Sequence, residues 1–524
     1  MKALLVAGML LLTACSAPAE QSLVRAATLQ AWTGFNPHTP NQGNSIGLAI
    51  GNLIYPSPFV VGTDLRPVLN RDLLDSAHLT EASPQTVVYK IKSGARWSDG
   101  TPITADDFAY LWRHMSGRVK DAQLAAAVGY DAVADVRSSD SGATVTVVFS
   151  RPFGEWRSLF AQLLPAHFMR GRDWNTGLAT TVPPGAGPFT VASNQAGQYL
   201  RLRRNPNWNG PRPQLDGLDL IYVKDTQAAV QALANGELDL AALDPGQGTM
   251  SQLKAVPYVR ADLVASTDLQ LMAFQFGHRR TGTPAVRQAI ATALDVSQLA
   301  AKTFGPEAAA FLSANHVIAR GAPGYTDNLP TGYGRGDAAG AARVLEAAGY
   351  VRGADGYFAD NGQALELRHT VASGSAIDTQ LAVLAQAMLK PAGIKLTVAT
   401  VPDSVYFDRV LIPGDYDTLS FQYPGSAYPV SWSQALYGCE GGYNFQRFCD
   451  KRVDALFARA IATTDETRRL RLADGIDARL WDTLALMPLF TVPALVARST
   501  RLTGFQAHPL SEWQLAGAAS WGLT

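Results

Sequence analysis

The chain has 524 residues, 47% of them hydrophobic, and its 44 Lys and Arg balance its 44 Asp and Glu to zero formal net charge. That length is enough for two or three domains, and the apolar share is ordinary for a globular protein, which excludes extended disorder. A nucleic-acid binder shows a basic surplus, so that class falls away.

The first signal in chain order is at the amino terminus. Lys2 supplies a positive start, Ala3 to Leu12 carry no charge, and Leu12-Thr13-Ala14-Cys15 sets small residues before a cysteine. The stretch is shorter than the about 20 apolar residues of a membrane helix and reads as a cleaved export signal. Its last four residues resemble a bacterial lipobox, in which Cys15 becomes the lipidated first residue. A plain signal peptide cut after Ala17 or Ala19 is the alternative. No later segment has the apolar length of a span, so an exported body held by a lipid anchor on the outer face of the cytoplasmic membrane is expected.

After a polar tether to Gln21, the pattern is mixed α/β. Val87, Tyr89 and Ile91 alternate with Val88, Lys90 and Lys92, as do Val145, Val147 and Phe149 with their neighbours, and that period of two predicts strands. Asp99-Gly100 predicts a turn. Thr104 with Asp107 spells a capping box ahead of a helix carrying Phe108, Leu111, Trp112 and Met115. Thr283-Pro284 opens a helix with Val286, Ile290 and Leu294 on one face. Asp337 caps another that ends at Gly349. Ile377, Leu381, Leu384 and Met388 stripe a third, stopped by Pro391 and Gly393, and Ile394, Leu396 and Val398 predict the strand after it. Asp450 caps a helix with Val453, Leu456, Phe457 and Ile461. No heptads or short repeats interrupt this order, so helices and strands interleave in one assembly.

Signals for chemistry are few. The chain has no Gly-Lys dipeptide and hence no phosphate-cradling P-loop, and its 8 histidines are scattered without ligand spacing, so no metal or other cofactor is expected. Gly43-Asn44-Ser45-Ile46-Gly47 matches the nucleophile elbow of a serine hydrolase by its letters. That motif needs a buried strand directly before the serine, and Pro37 to Gln42 cannot form one. A secreted hydrolase using Ser45 stands as an alternative to be tested. Cys439 and Cys449 flank a turn-rich stretch, and in an oxidising compartment a disulfide is the default, two free thiols the alternative.

Aromatic residues also fall outside the helical stripes. Trp32 and Phe35 sit in an amino-terminal loop, with Tyr406, Phe407, Phe421, Tyr423, Tyr428 and Trp432 in a Pro- and Gly-rich later region. Binding pockets are largely apolar and aromatic, and loops tend to carry function. A ligand would be walled by Trp32, Thr33, Gly34, Phe35 and Asn36 on one side. Phe421, Tyr423, Ser426, Tyr428 and Trp432 would form the other. Plain core burial is the competing explanation for each ring.

Several segments resemble the family 5 extracellular solute-binding proteins, the peptide-binding lipoproteins of ABC importers. Val87-Val88-Tyr89-Lys90-Ile91-Lys92-Ser93-Gly94-Ala95-Arg96-Trp97-Ser98-Asp99-Gly100-Thr101-Pro102-Ile103-Thr104-Ala105-Asp106-Asp107-Phe108 is similar to that family's signature. Gly185-Ala186-Gly187-Pro188-Phe189, Arg204-Asn205-Pro206-Asn207-Trp208, Asn235-Gly236-Glu237-Leu238-Asp239 and Val286-Arg287-Gln288-Ala289-Ile290 follow in the family's order. Phe35-Asn36-Pro37 resembles an actinobacterial subgroup that includes a lipoprotein named for binding monoacyl phosphatidylinositol tetramannoside.

The resemblance implies a two-lobed periplasmic-binding-protein fold of type II with an extra subdomain in the first lobe. Its expected boundaries are a signal and tether over 1–21, a first lobe over 22–52, 185–265 and 490–524, an inserted subdomain over 53–184 and a second lobe over 266–489. Crossing strands are expected at Leu269 to Phe276 and at Leu489 to Val496. The implied function is binding of an extended peptide or peptide-like ligand between the lobes for delivery to an ABC permease and its ATPase, by a monomer without enzymatic activity. The alternative is a lipoprotein of the same fold that senses or handles an envelope glycolipid without a transporter. One departure bears on the ligand. Peptide-binding members resemble one another in an aspartate just before the second-lobe aromatics, and Phe421 to Pro429 has no carboxylate. A buried ammonium without a partner is costly, so a blocked peptide, a sugar-containing compound or a lipid headgroup is expected in place of a free peptide amino terminus.

Overall fold

The computed structural model describes residues 22–125 and 127–524, so Cys15 and the lipobox lie outside the described residues. Two large sheets organise the chain. The first has seven strands, in the order Val259–Val264, Ala494–Ser499, Leu240–Leu243, Leu23–Thr28, Gly217–Tyr222, Tyr199–Arg204 and Phe189–Gln195. Leu23–Thr28 runs parallel to both its neighbours, and the outer strands are antiparallel. The second sheet has five, in the order Lys395–Val401, Glu366–Ala372, Thr418–Tyr423, Leu269–Phe274 and Leu486–Thr491. A smaller antiparallel sheet of four strands holds Leu74–Ala82, Gln85–Ile91, Thr144–Phe149 and Val133–Ser139.

Alternation explains the strands and their cores. In Gln85–Ile91 the odd-numbered Val87 and Tyr89 are fully buried while Lys90 is exposed, as a half-buried strand requires. Leu269–Phe274 is buried at all six positions because helices cover both faces of its sheet. Met272 and Phe274 join Ile290, Leu381 and Leu389 on one face, and Leu271 and Ala273 join Leu419, Phe457 and Leu480 on the other. A single apolar core runs from the seven-stranded sheet into the four-stranded one, linking Val24 and Leu218 to Trp97, Phe108 and Phe160.

Helix punctuation follows the side chains. Thr104 and Asp107 form the reciprocal capping box, Asp337 and Asp450 cap their helices, and Gly349 follows its helix at φ 87°. Ile377, Leu384 and Met388 are only half-buried, however, and the buried face of Ala376–Leu389 is carried by Leu381, Ala382, Ala385 and Leu389.

The chain passes between the two large sheets at residues 265–268 and 492–493. The two passages lie side by side, with the Ser266 hydroxyl donating to the Val492 carbonyl at 2.5 Å and the Val492 amide to the Asp268 carbonyl at 2.8 Å. The first passage thus precedes the run from Leu269 to Phe276 that the sequence marks, because six consecutive buried residues, all but Gln270 apolar, describe a central strand as well as a buried crossing.

Candidate functional site: the crevice between the lobes

The motif segments turn out to hold the scaffold. The Ser98 amide donates to the Gly185 carbonyl at 2.7 Å, and Asn207 Nδ2 donates to the Ser98 carbonyl at 2.8 Å. Asn205, almost fully buried, donates from Nδ2 to the Gly187 carbonyl at 2.9 Å. Gly187 must be glycine here, since a Cβ would lie 2.2 Å from the Leu53 carbonyl oxygen. Asp107 accepts from the Ala166 amide at 2.8 Å as well as closing the helix cap, and Trp97 is wholly buried above it. Asp239 takes the Arg25 amide and guanidinium, which fastens the first strand to its neighbour. Arg287 donates to the carbonyls of Thr281 and Thr483 under the Phe276 ring.

The aromatic segments are placed differently from one another. Trp32 is 3% exposed, with its indole N–H on Asn194 Oδ1 at 2.9 Å. Thr33 donates its hydroxyl to the Asn41 carbonyl, and Gly34 holds φ 152° against the Gln42 side chain. Phe35 is buried, its amide on the Leu178 carbonyl and its own carbonyl accepting from Tyr55 at 2.6 Å. Asn36 has no exposure and donates to the Trp174 carbonyl at 2.7 Å. Trp32 and Phe35 belong to the first core and Asn36 is buried beside them, while Thr33 is exposed.

In the later segment, Phe421 is half-buried between Phe407 and Tyr423, at ring separations of 6.1 and 5.5 Å. Tyr423, Ser426 and Trp432 line a small cavity of about 30 Å³ inside the second lobe. Ser426 and Tyr428 also face a crevice of about 210 Å³, whose opposite wall is Leu65, Arg66, Glu155 and Arg157. Among the described residues, no hydrogen bond or ring contact joins Trp32–Asn36 to Phe421–Trp432.

The crevice wall contains a carboxylate that no motif announces. Glu155, 4% exposed, reaches across to the first turn of the helix Pro429–Tyr437. It accepts from the Val430 amide at 3.1 Å, the Ser431 amide at 2.9 Å and the Ser431 hydroxyl at 2.5 Å. Burial pushes its pKa up, and these donors, with the nearby Arg469 guanidinium, oppose that shift. Beside it, the Tyr428 hydroxyl donates to the Arg157 carbonyl at 2.8 Å and the Gly154 amide to the Ile461 carbonyl at 2.6 Å. Together these bonds hold the four-stranded subdomain against the second lobe.

A second carboxylate answers the departure noted in the sequence. Asp268, from the first passage between sheets, accepts from the Gly425 amide at 3.3 Å and from Gln422 Nε2 at 3.2 Å. A carboxylate therefore does sit on the 421–429 loop, delivered from a distant part of the chain. Burial raises it to about 6, against the pull of those donors. Glu512, on the carboxyl-terminal segment, is raised to about 7 by burial and by repulsion from Asp268. Sequence spacing carried no signal for Glu155, Asp268 or Glu512, since each acts on a partner far away in the chain.

Two other readings meet the structure here. Ser45 is the exposed first residue of the helix Ser45–Ile54, Asn44 is its cap, and the nearest preceding strand ends at Thr28, so the strand–turn–helix setting of a nucleophile elbow is missing. Cys439 and Cys449 are bonded, with Cα atoms 4.5 Å apart. Among the described residues, no cluster of three or more His, Cys, Asp and Glu could hold a metal ion, and no helix is long and apolar enough to cross a membrane.

This architecture, two sheets linked by paired crossings with a subdomain closing over the crevice, is that of a two-lobed binding protein of type II. Residues 69–444 match the model of bacterial extracellular solute-binding proteins, family 5 Middle, and the chain belongs to that family. It is 30% identical over 471 residues to the oligopeptide-binding protein OppA of Mycobacterium tuberculosis, across 87% of this chain and 78% of the relative. It is 31% identical over 327 residues to the probable monoacyl phosphatidylinositol tetramannoside-binding protein LpqW of the same species, across 60% of this chain and 50% of that one. Among solved structures, the periplasmic EDTA-binding protein EppA matches at TM-score 0.90 and 27% identity, covering 99% of this chain and 100% of that chain. Each of these relatives is named as a binding protein.

Proposed function

We propose that the protein is the substrate-binding component of an ABC importer and holds an extended peptide or peptide-like ligand in the crevice between its lobes. The observation that carries this reading is the match to an oligopeptide-binding protein over 87% of the chain, combined with a crevice lined from both sides. On this reading, residues 22–52, 185–265 and 490–524 form the first lobe, 53–184 its subdomain and 266–489 the second lobe. The seven-stranded sheet supports this, because it draws its strands from the first of these groups alone.

Phe421, Tyr423, Ser426, Tyr428 and Trp432 form the second-lobe wall, and Trp32–Asn36, buried except for Thr33, shapes the first-lobe side. Asp268 supplies the negative charge for a cationic group on the ligand, which returns a free peptide amino terminus to the candidates. Cys15 anchors the exported monomer to the membrane, where an ABC permease and ATPase receive the ligand. Cys15→Ser should move the protein from the membrane to the soluble fraction, and unchanged fractionation would count against the anchor.

A second reading, handling of an envelope glycolipid, is favoured by the LpqW match over 60% of the chain. Native mass spectrometry of protein purified from its own host separates the two. Peptide-mass adducts support import of peptides, and a mannosylated lipid mass supports the second reading. Protein without adducts that also binds nothing from a mixed library of tri- to nonapeptides in calorimetry would overturn the first.

A further inference from the structure

The crevice between the subdomain and the second lobe carries more positive charge than its own residues neutralise. Arg66, Arg157 and Arg469 line it together with Glu155 and Glu466. Two of these guanidiniums have a carboxylate to answer them. Arg66 is exposed and lies 3.6 Å from Asp64. Arg469 is buried and sits in the field of Glu155, which is itself committed to the donors of Val430 and Ser431.

Arg157 has no such partner. It is half-buried, with its guanidinium carbon 4.7 Å from the centre of the Trp156 ring and 5.8 Å from that of Phe59. Among the described residues it makes no ion pair, and none of its side-chain N–H donors meets an acceptor. Glu466 is exposed in the first turn of its own helix, Glu466–Thr483, and forms no ion pair with it. Two further donors stand at the same wall. The Ser426 hydroxyl accepts from the Tyr428 amide at 3.0 Å, and its own proton has no acceptor among the described residues. Arg469 spends only Nη1 within the chain, on the carbonyls of Thr463 at 3.0 Å and Thr464 at 3.4 Å. Burial pulls the Arg469 pKa below its usual range, Glu155 and Glu466 oppose this, and the nearby Arg157 charge adds to it. A guanidinium presents a flat fork that matches two oxygens of an oxyacid, in bonds stronger than those between neutral groups. One unmatched charge fits a group that is itself singly charged.

We propose that Arg157, with Ser426 and Arg469 beside it, forms a subsite for a singly charged carboxylate of the ligand. That the carboxylate belongs to a peptide rests on the function proposed above, whereas the preference for an anion rests on the crevice alone. Calorimetry with tetra-alanine and with its carboxyl-terminal amide tests this on the full mature protein, alongside saturation-transfer NMR with acetate and dimethyl phosphate.

The acid should bind about ten- to a hundredfold more tightly than the amide, the size of hydrogen bonds to a charged group. Arg157→Gln should abolish that preference. Arg157→Lys, which keeps the charge and loses the fork, should retain only part of it, so the test survives if Arg157→Gln does not fold. Equal affinity for acid and amide in the wild type, or an undiminished preference in either folded variant, would overturn the subsite. So would the absence of an acetate signal together with no binding of either peptide. Acetate saturation that depends on Arg157 while neither peptide binds would keep the subsite and reject the import of peptides. Saturation by dimethyl phosphate in place of acetate would overturn the carboxylate in favour of a phosphodiester, as a lipid headgroup carries.

Discussion

Two residues with raised carboxyl pKa values make the stability of this protein depend on pH in a definite direction. Glu512 and Asp268 stand at about 7 and about 6 in the folded chain, above the 4.5 and 3.8 of free carboxyls. In the window between those values the native state binds more protons than the unfolded one, so these groups favour folding at low pH and lose that effect as pH rises through 6 to 7. His38 and His369, both held near 4 by burial, act the other way and cost stability as pH falls below 6.5. Comparing wild type with Glu512→Gln isolates the carboxyl. The variant should gain in melting temperature relative to wild type between pH 5 and pH 8, and a difference independent of pH would refute the assignment. The disulfide belongs to the same scale. Replacing Cys439 and Cys449 by Ser should cost roughly 2–3 kcal/mol in chemical denaturation, as expected for a short closed loop, and a smaller loss would show that the chain is already held there by its turns.

At the scale of elements, the helix Pro429–Tyr437 has no cap of its own. Tyr428 occupies its cap position without a side-chain bond, and Glu155 from the subdomain supplies the acceptors instead. A negative group at a helix amino terminus is favourable, and capping groups are worth about 0.5–2 kcal/mol. This cap also bridges the lobes, so its loss should act on shape as well as stability. Glu155→Ala should lower the free energy of unfolding by that amount and enlarge the radius of gyration measured by small-angle scattering. Glu155→Gln, which keeps one acceptor, should do less of both. A variant as compact and as stable as wild type would show that other contacts close the crevice. By contrast, Thr104 caps a helix that lies within one lobe, and Thr104→Ala should cost about 1 kcal/mol with no change in dimensions.

For the whole molecule, ligand can close the lobes only if it binds the closed form more tightly than the open one. The two tryptophans proposed to flank the ligand should then separate in their effects. Trp32 is buried in the first core, and Trp32→Ala should cost about 3–5 kcal/mol of stability, as large core truncations do. Trp432 is half-buried, and Trp432→Ala should weaken binding of the copurifying ligand by roughly 1–3 kcal/mol with a modest change in melting. Calorimetry paired with denaturation distinguishes these outcomes. Equal affinity in Trp432→Ala would place the ligand elsewhere.

What the sequence determined by itself was local. Strands with a period of two, the Thr104–Asp107 capping box, the helix stop at Gly349 and the family segments around Trp97, Gly187, Asn205 and Arg287 were all legible, because their causes lie within a few residues along the chain. Even there the letters spoke for scaffold: Ser98, Gly185, Gly187, Asn205 and Asn207 bond one another and leave the ligand to less conspicuous residues. Only the tertiary structure decided which aromatics are core, since Trp32 and Trp432 look alike in a loop-rich sequence and differ in what packs over them. It alone brought Asp268 onto the 421–429 loop and Glu155 onto the helix that begins at Pro429, across separations of 157 and 275 residues. Asp268 acquires its partners through the pairing of Leu269–Phe274 with Thr418–Tyr423, and Glu155 through the packing of the subdomain on the second lobe, so periodicity along one segment carries no trace of either contact.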